Sequence, residues 1–376
     1  MEPAYKKLAV VVDTFPKWSE RFIARELQEL LRRGVDLTVF HFKPGTLPFA
    51  NDPEWNGLLS RGRVLPLSFG TIPLVNIDVV STHKSANCLE DILENERFQH
   101  VHAHFANTPS TVAWTACLFS KIPFSMSVHA RDLFVDAMDL DKKISDAVRI
   151  FTCHGRASEY LQARGATQIT CMHHGLPLER FPFTARAEKA SGSPRFISVC
   201  RFVKKKGLQH AIEAMRDPRL AETGAELELI GDGPEQKSLE KLVKKAKLEA
   251  RVRFSPPKSS PELLSVFRTA TALIAPYETA ADGDADGIPN VILEAFAAGL
   301  PVIGTTAGSL TEVLTPETGT VVLERNARAL TEAMVAAGCK FTPGKVAAAR
   351  ALVERDFDIR KNIAPLLELL TLKSSC

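Results

Sequence analysis

The chain has 376 residues, 45% of them hydrophobic and 24% charged, with a formal net charge of +3; this length suits two domains better than one core, and the composition is that of a globular protein. The charge is too small to argue for nucleic acid, and no apolar run reaches the length of a membrane span. Seven cysteines without a CxxC spacing fit reduced thiols rather than a disulfide frame, and the N-terminus lacks a signal-peptide pattern, so the expected location is cytoplasmic, at the inner face of the cell membrane if a membrane is touched at all.

Short β-branched runs alternate with amphipathic helices along the chain, the pattern of parallel α/β sheets. The first unit reads as a strand, LAVVVD at 8–13, the loop TFPKWS, a helix from about Glu20 to Arg33, Gly34 as its stop, and the strand VDLTVF. Ser19 is the expected N-cap, and Ile23, Leu27, Leu30 and Leu31 form the expected buried stripe. Further strands follow in HVHAHF, FSMSVHA, RIFTC and QITCMHHG, and FPFTARAEKASGSP at 181–194 reads as a linker. A second α/β series runs through FISVCRF, LELELIGDG, RVRFS, ALIAPY and PVIGT. The expected organisation is a domain over 1–180, the linker, a second domain over 195–355, and a C-terminal helix over 356–376 packing back toward the first domain. Two doubly wound sheets joined in this way are expected to bind ligands at the carboxyl edges of their strands, in a cleft between them.

DGDADGIPNVILEAFAAG, starting at Asp282, is the most informative stretch. Asp282, Asp284, Asp286 and Gly287 match the first, third, fifth and sixth positions of an EF-hand loop, but the twelfth is Leu293, where a bidentate carboxylate is needed. The other reading places Gly287 in a turn, Pro289 at the first helical position and Gly299 at the helix stop, so the helix start faces an anion such as a diphosphate. Glu294 then lies in the second turn of an apolar helix, suited to accept two hydrogen bonds from adjacent hydroxyls or, more simply, to a structural role. CRFVKKKG follows the first strand of the second series; Arg201 and Lys206 either neutralise a departing diphosphate or belong to a plain basic turn, while Lys204 and Lys205 read as solvated.

Together with the opening DTFPKWSERFIARELQELLRRG, HAHFA, SVHARDLF, HHGLPLERF and LIGDGPE, these motifs resemble retaining glycosyltransferases of family 4, of the type acting in bacterial surface polysaccharide synthesis. The resemblance implies an α/β fold of the GT-B class, two Rossmann-like domains facing a central cleft. It implies transfer of a sugar from a nucleotide-diphosphate donor, a UDP- or GDP-sugar, to a hydroxyl of a glycan or lipid-linked acceptor, with retention and without metal or other cofactor. The family's pair of acidic residues separated by seven others falls on Asp286 and Glu294. On that match Glu294 binds ribose hydroxyls, Arg201 and Lys206 the diphosphate, and the backbone of Gly287, Ile288, Pro289 and Asn290 the phosphate and sugar. Three departures stand out: Asp286 where glutamate is usual, Cys200 where glycine commonly precedes the arginine, and TFPKWSERF in place of a glycine pair.

SVHARDLF ends a strand of the first domain, which puts His129 and Asp132 at the expected cleft edge; the resemblance sets His129 against the donor sugar, and the plainer reading is a histidine satisfying a local backbone group. His100, His102 and His104 alternate on one strand face, a conceivable zinc site that no carboxylate or cysteine completes in sequence order. Arg21, Arg25 and Arg32 read as one helix stripe, either solvated or in contact with anionic lipid. Rival readings are a nucleotide-sugar epimerase of the same fold, a phosphorylase, and a non-catalytic nucleotide-sugar or calcium-binding module.

Overall fold

The computed structural model describes residues 5–49, 52–66, 77–184, 192–339 and 342–372. The chain divides into two compact units, one of residues 1–175 with 359–376 and one of residues 176–358. The first holds seven strands, β1 (Leu8–Phe15), β2 (Leu37–Pro44), β3 (Gly62–Val64), β4 (His100–His104), β5 (Phe124–Val128), β6 (Arg149–Thr152) and β7 (Ile169–Cys171), all parallel in the order β3-β2-β1-β4-β5-β6-β7. The second holds β8 (Arg195–Val199), β9 (Glu226–Ile230), β10 (Val252–Ser255), β11 (Ala272–Ala275), β12 (Val302–Thr305) and β13 (Thr320–Val322), also all parallel, in the order β10-β9-β8-β11-β12-β13.

Both sheets are covered on both faces, so β1 and β11 are apolar runs, while β4 and β5 bury alternating histidine and serine that bond one another. Successive side chains of β1 enter different cores: Ala9 and Val11 on one face, Leu8, Val10 and Val12 on the other. In the second unit Ile197 and Phe196 part in the same way. Strand order reverses between β1 and β4 in one sheet and between β8 and β11 in the other. Those two switch points are where parallel sheets leave a crevice at the strand ends. The loops that follow these four strands, at 16–20, 105–107, 200–207 and 276–289, therefore position the candidate groups.

Several expectations need correction. The division falls at Gly175 and Leu176 rather than at 180, because Phe181 is buried in the second unit's core and the Thr184 amide donates to the Ala298 carbonyl at 3.3 Å. Residues 185–191 of the expected linker lie outside the described residues. The return to the first unit comes at Ile359, and Ile363, Leu366 and Leu370 join the core beneath β1. Ser19 is no cap: it sits in a 3-10 turn, Trp18–Glu20, and the helix Arg21–Arg32 starts after Glu20 without a side-chain cap. Pro289 is the N-cap of the helix Asn290–Ala298 rather than its first residue, while Gly299 ends that helix at φ +78° as read from the sequence.

Candidate functional site

In the second unit the segment after β8 turns through Lys204–Lys206 and ends at Gly207, whose φ is +58° and whose absent Cβ would lie 2.0 Å from the Pro276 carbonyl oxygen. Only glycine permits that approach, and it fixes the lysine turn against the start of the loop after β11. The Glu278 amide donates to the Lys205 carbonyl at 2.9 Å and completes the strap. Across it, Lys206 Nζ lies 2.5 Å from Asp286 Oδ2, and 4.0 Å from the ring centroid of buried Tyr277. Lys205 Nζ lies 2.9 Å from Asp284 Oδ1 and 3.3 Å from Asp286 Oδ1. Lys205 is thus not solvated as expected; Lys204 is exposed.

Asp286 is held from the far side as well. Its carbonyl accepts the Ser309 amide at 3.1 Å, and a Cβ on Gly308 would meet that oxygen at 2.1 Å. Burial pushes the Asp286 carboxyl up, but Lys206 and Lys205 outweigh it and hold it below the usual carboxylate range. The sequence match to a calcium loop thus meets aspartates already engaged: two of the three face ammonium groups. Arg201 is exposed and has no ion-pair partner among the described residues. Glu294 is 3% exposed within the helix Asn290–Ala298. At the start of that helix Ile288 is buried, and Asn290 Oδ1 is a buried acceptor without a hydrogen-bond partner among the described residues. The sequence-derived Asp286 and Lys206 come into direct contact.

In the first unit the corresponding place is built from neutral rings. His129 Nδ1 lies 3.2 Å from His174 Nε2, so one ring donates and the other accepts. Phe22 stacks on His174 with centroids 4.1 Å apart and planes 9° apart, and Phe105 lies 4.7 Å from the His129 ring. Burial, reinforced by neighbouring histidines, takes His129 well below the ordinary imidazole value and His174 down to about 3. His129 Nε2 is buried with no hydrogen-bond partner among the described residues, a polar atom left for a ligand or a water. His154 accepts the Ala157 amide at Nδ1, so its Nε2–H is the donor to the His129 carbonyl at 3.2 Å.

Asp132 is a buried staple and not a group at the edge. It accepts the Ala106 amide at 2.8 Å and the His129 amide at 3.2 Å, and burial raises it to about 6 against those bonds. From the other side Lys143, fully buried, donates to the Ala106 carbonyl at 2.7 Å and to Ser110 Oγ at 2.8 Å; burial brings it down to about 7. The Ala106 peptide is therefore clamped at both ends, which holds Phe105 at φ +78° beside His129. Lys143 is absent from the sequence reading. Nothing in LDKKISD distinguishes it from exposed Lys142, because its partners are 32 to 37 residues away.

The three strand histidines are all buried. Ser125 Oγ bridges His100 Nε2 at 2.7 Å and His102 Nδ1 at 2.8 Å, and Ser127 Oγ takes His102 Nε2 at 3.0 Å. The structure does bring a carboxylate to His104: Glu26 Oε1 lies 3.2 Å from its Nε2, close but misaligned for a hydrogen bond. The arginine stripe is not a surface for lipid. Arg25 is buried and its Nη2 lies 2.6 Å from Glu54 Oε1, Arg21 packs over Trp18 at 4.3 Å and pairs with Glu54, and exposed Arg32 pairs with Glu29. Among the described residues no helix is long and apolar enough to cross a membrane, and the cysteines described there are free thiols.

Comparison with known proteins places this geometry in a family. The profile of Glycosyltransferase Family 4 matches residues 19–214, and that of Glycosyl transferases group 1 matches residues 181–337. The chain is 34% identical over 211 residues to WcaL of Escherichia coli K12, a protein named for colanic acid biosynthesis, covering 54% of this chain and 52% of that protein. It is 32% identical over 213 residues to the amylovoran biosynthesis glycosyltransferase AmsK of Erwinia amylovora, covering 54% and 51%. The chain thus spans about half the length of these relatives. Among solved structures, Anabaena HepE in complex with UDP-glucose superposes with a TM-score of 0.72 at 16% identity, covering 98% of this chain and all of that one. The lipopolysaccharide outer core galactosyltransferase WaaB gives 0.69 at 15%, covering 96% and 99%. These two likenesses establish the fold, two parallel-sheet Rossmann-like units of the GT-B class. On the sequence matches and this architecture together, the chain belongs to glycosyltransferase family 4.

Proposed function

We propose that the protein transfers a hexosyl group from a nucleotide-diphosphate sugar to a hydroxyl of a bacterial surface glycan or its lipid-linked precursor, with retention of anomeric configuration and without a metal ion. The observation that carries this reading is the contact of Lys206 with Asp286, eight residues before buried Glu294, at the switch point of the second sheet. A carboxylate on a buried helix turn suits two adjacent ribose hydroxyls, and the lysine turn suits phosphate oxygens. Relatives named for colanic acid and amylovoran biosynthesis support the polysaccharide setting, and HepE, solved with UDP-glucose, supports a uridine nucleotide as the first donor to try, with guanosine next.

In this reading Arg201, Lys206 and the backbone from Gly287 to Asn290 meet the diphosphate, where negative charge grows as the glycosidic bond opens through an oxocarbenium-like state. Asp286 orients the sugar, and His129, kept neutral by burial, offers an imidazole nitrogen to a sugar hydroxyl. No side chain here is an evident covalent nucleophile, so attack comes on the same face as departure, the leaving phosphate taking the acceptor proton. The test is a radiolabelled donor panel with polysaccharide-lipid acceptors in the presence of chelator. A transferred glycosyl product supports the reading; an isomerised donor would support an epimerase, and ligand binding without turnover a binding module.

A further inference from the structure

The lysine turn presents two cations whose places are already filled. Lys205 and Lys206 contribute two positive charges, Asp284 and Asp286 two negative ones, and the four side chains, 12–18% exposed, lie together with N–O distances of 2.5, 2.9 and 3.3 Å. The formal charge of this cluster is zero, so a diphosphate arriving there meets ammonium groups already neutralised. Two carboxylates two residues apart, Asp284 on Lys205 and Asp286 on both ammonium groups, occupy the same kind of place as two successive phosphate groups.

We infer that Lys205 is a further phosphate-binding cation of the donor site and that Asp284 is its internal competitor, displaced when a nucleoside diphosphate binds. The inference rests on the donor-site reading above and adds a residue to it. The backbone supports an exchange of side-chain partners without refolding. The Lys205 carbonyl is tied to the Glu278 amide and Gly207 is pressed on Pro276, so the lysine turn stays in place. Asp286 is fixed by Ser309 and the close approach of Gly308. Asp284 instead lies in a short turn of its own, its amide on Asp282 Oδ1 at 3.0 Å and its carbonyl accepting the Ala280 amide at 2.9 Å, beside exposed residues 281–283. Of the two acidic partners, Asp284 is the one whose side chain can leave while the loop on either side keeps its anchors.

The consequence is a gain of affinity on removing an acidic residue. Calorimetry with UDP, GDP and ADP identifies which diphosphate the wild-type protein binds, and that nucleotide is then titrated into Asp284→Asn, Asp284→Ser, Lys205→Ala and the double variant Lys205→Ala/Asp284→Asn. The corresponding nucleoside, which carries no phosphate, is the control. Both Asp284 variants are expected to bind the diphosphate about fivefold more tightly, ~1 kcal/mol, with nucleoside affinity unchanged. Lys205→Ala is expected to weaken diphosphate binding, and on that background Asp284→Asn no longer tightens it. Equal or weaker diphosphate binding by both Asp284 variants with wild-type melting temperature, or tightening that persists without Lys205, overturns the inference. Absence of binding by the wild type to all three diphosphates refutes the donor-site reading itself.

Discussion

At the switch point of the second sheet the loops carry charge: Lys205 and Lys206 face Asp284 and Asp286, and exposed Arg201 stands nearby in sequence on the same segment. In the first unit the corresponding groups are rings. His129 and His174 share a hydrogen bond between Phe22 and Phe105; the Asp132 carboxylate holds the His129 and Ala106 amides, and Lys143 the Ala106 carbonyl. Charge in one unit suits a phosphate group; desolvated neutral imidazoles in the other suit hydroxyl groups and the exclusion of water. The units also differ in how their ions are placed. The side chains of the lysine–aspartate cluster are 12–18% exposed, whereas Arg25 and Glu54 in the first unit are sealed, their side chains 1% and 0% exposed.

That difference predicts opposite consequences of similar mutations. Arg25→Ala removes the shorter of two ion pairs on Glu54 in a closed site, leaving Arg21 at 3.4 Å, and should cost about 3 kcal/mol of stability, read as a fall in the denaturant midpoint. Arg32→Ala, on the same helix but exposed, should stay within about 0.5 kcal/mol. If Arg25→Ala proved as mild as Arg32→Ala, the sealed pair would have no structural weight.

Lys206→Ala in the second unit should act on rate, lowering turnover by about a hundredfold because charge on the phosphate grows in the transition state. Arg201→Ala should lower turnover comparably with an unchanged melting temperature, since its side chain is exposed. Michaelis constants that rose at constant turnover would assign both residues to ground-state binding alone.

Acid should separate the units next. His100 and His174 titrate near 6.5 when unfolded and at about 3 when folded, and burial lowers His102 and His129 as well. The unfolded chain therefore binds protons first, and stability contributed by these neutral rings is lost as pH falls from about 6.5 toward 3. Asp132 opposes them: raised from 3.8 to about 6, it takes a proton first in the folded state. Burial raises Glu20 and Asp52 too and lowers His41, so three raised carboxyls stand against five lowered imidazoles, and the imidazoles prevail. In the second unit Asp286 is held below 3.8 by its lysines after burial is overcome, so its contribution is lost only at still lower pH. All three tryptophans, at 18, 55 and 114, belong to the first unit. Tryptophan fluorescence should therefore show an acid transition at higher pH than the circular dichroism of the whole chain; coincident transitions would contradict the assignment.

The same contrast explains what was legible in the sequence. Strands such as β1 and β11 are written as continuous apolar runs, and the turns after β8 and β11 carry glycine, proline and charge at short spacing, so these elements read directly, whereas the Asp286–Glu294 pair comes from the family resemblance alone. Three-residue β3 and β13 are too short to show a period. Arg25 has the spacing of a surface residue, and only the fold reveals Glu54, 29 positions away, as its partner. Lys205 and Lys143 were misread or missed for the same reason: the partners that desolvate them come from other segments. The domain division also escaped periodicity, because the chain crosses into the second unit at 176 and returns at 359.

On the proposed function, the second unit holds a nucleotide diphosphate with Glu294 on its ribose. Calorimetric titration of the wild type and of Glu294→Gln with the bound nucleoside diphosphate tests it most directly. Loss of charge-assisted bonds to two hydroxyls predicts weakening by about 1.5–3 kcal/mol with a folded, wild-type-like protein. An unchanged dissociation constant in Glu294→Gln would make Glu294 a structural residue of its helix and contradict the account.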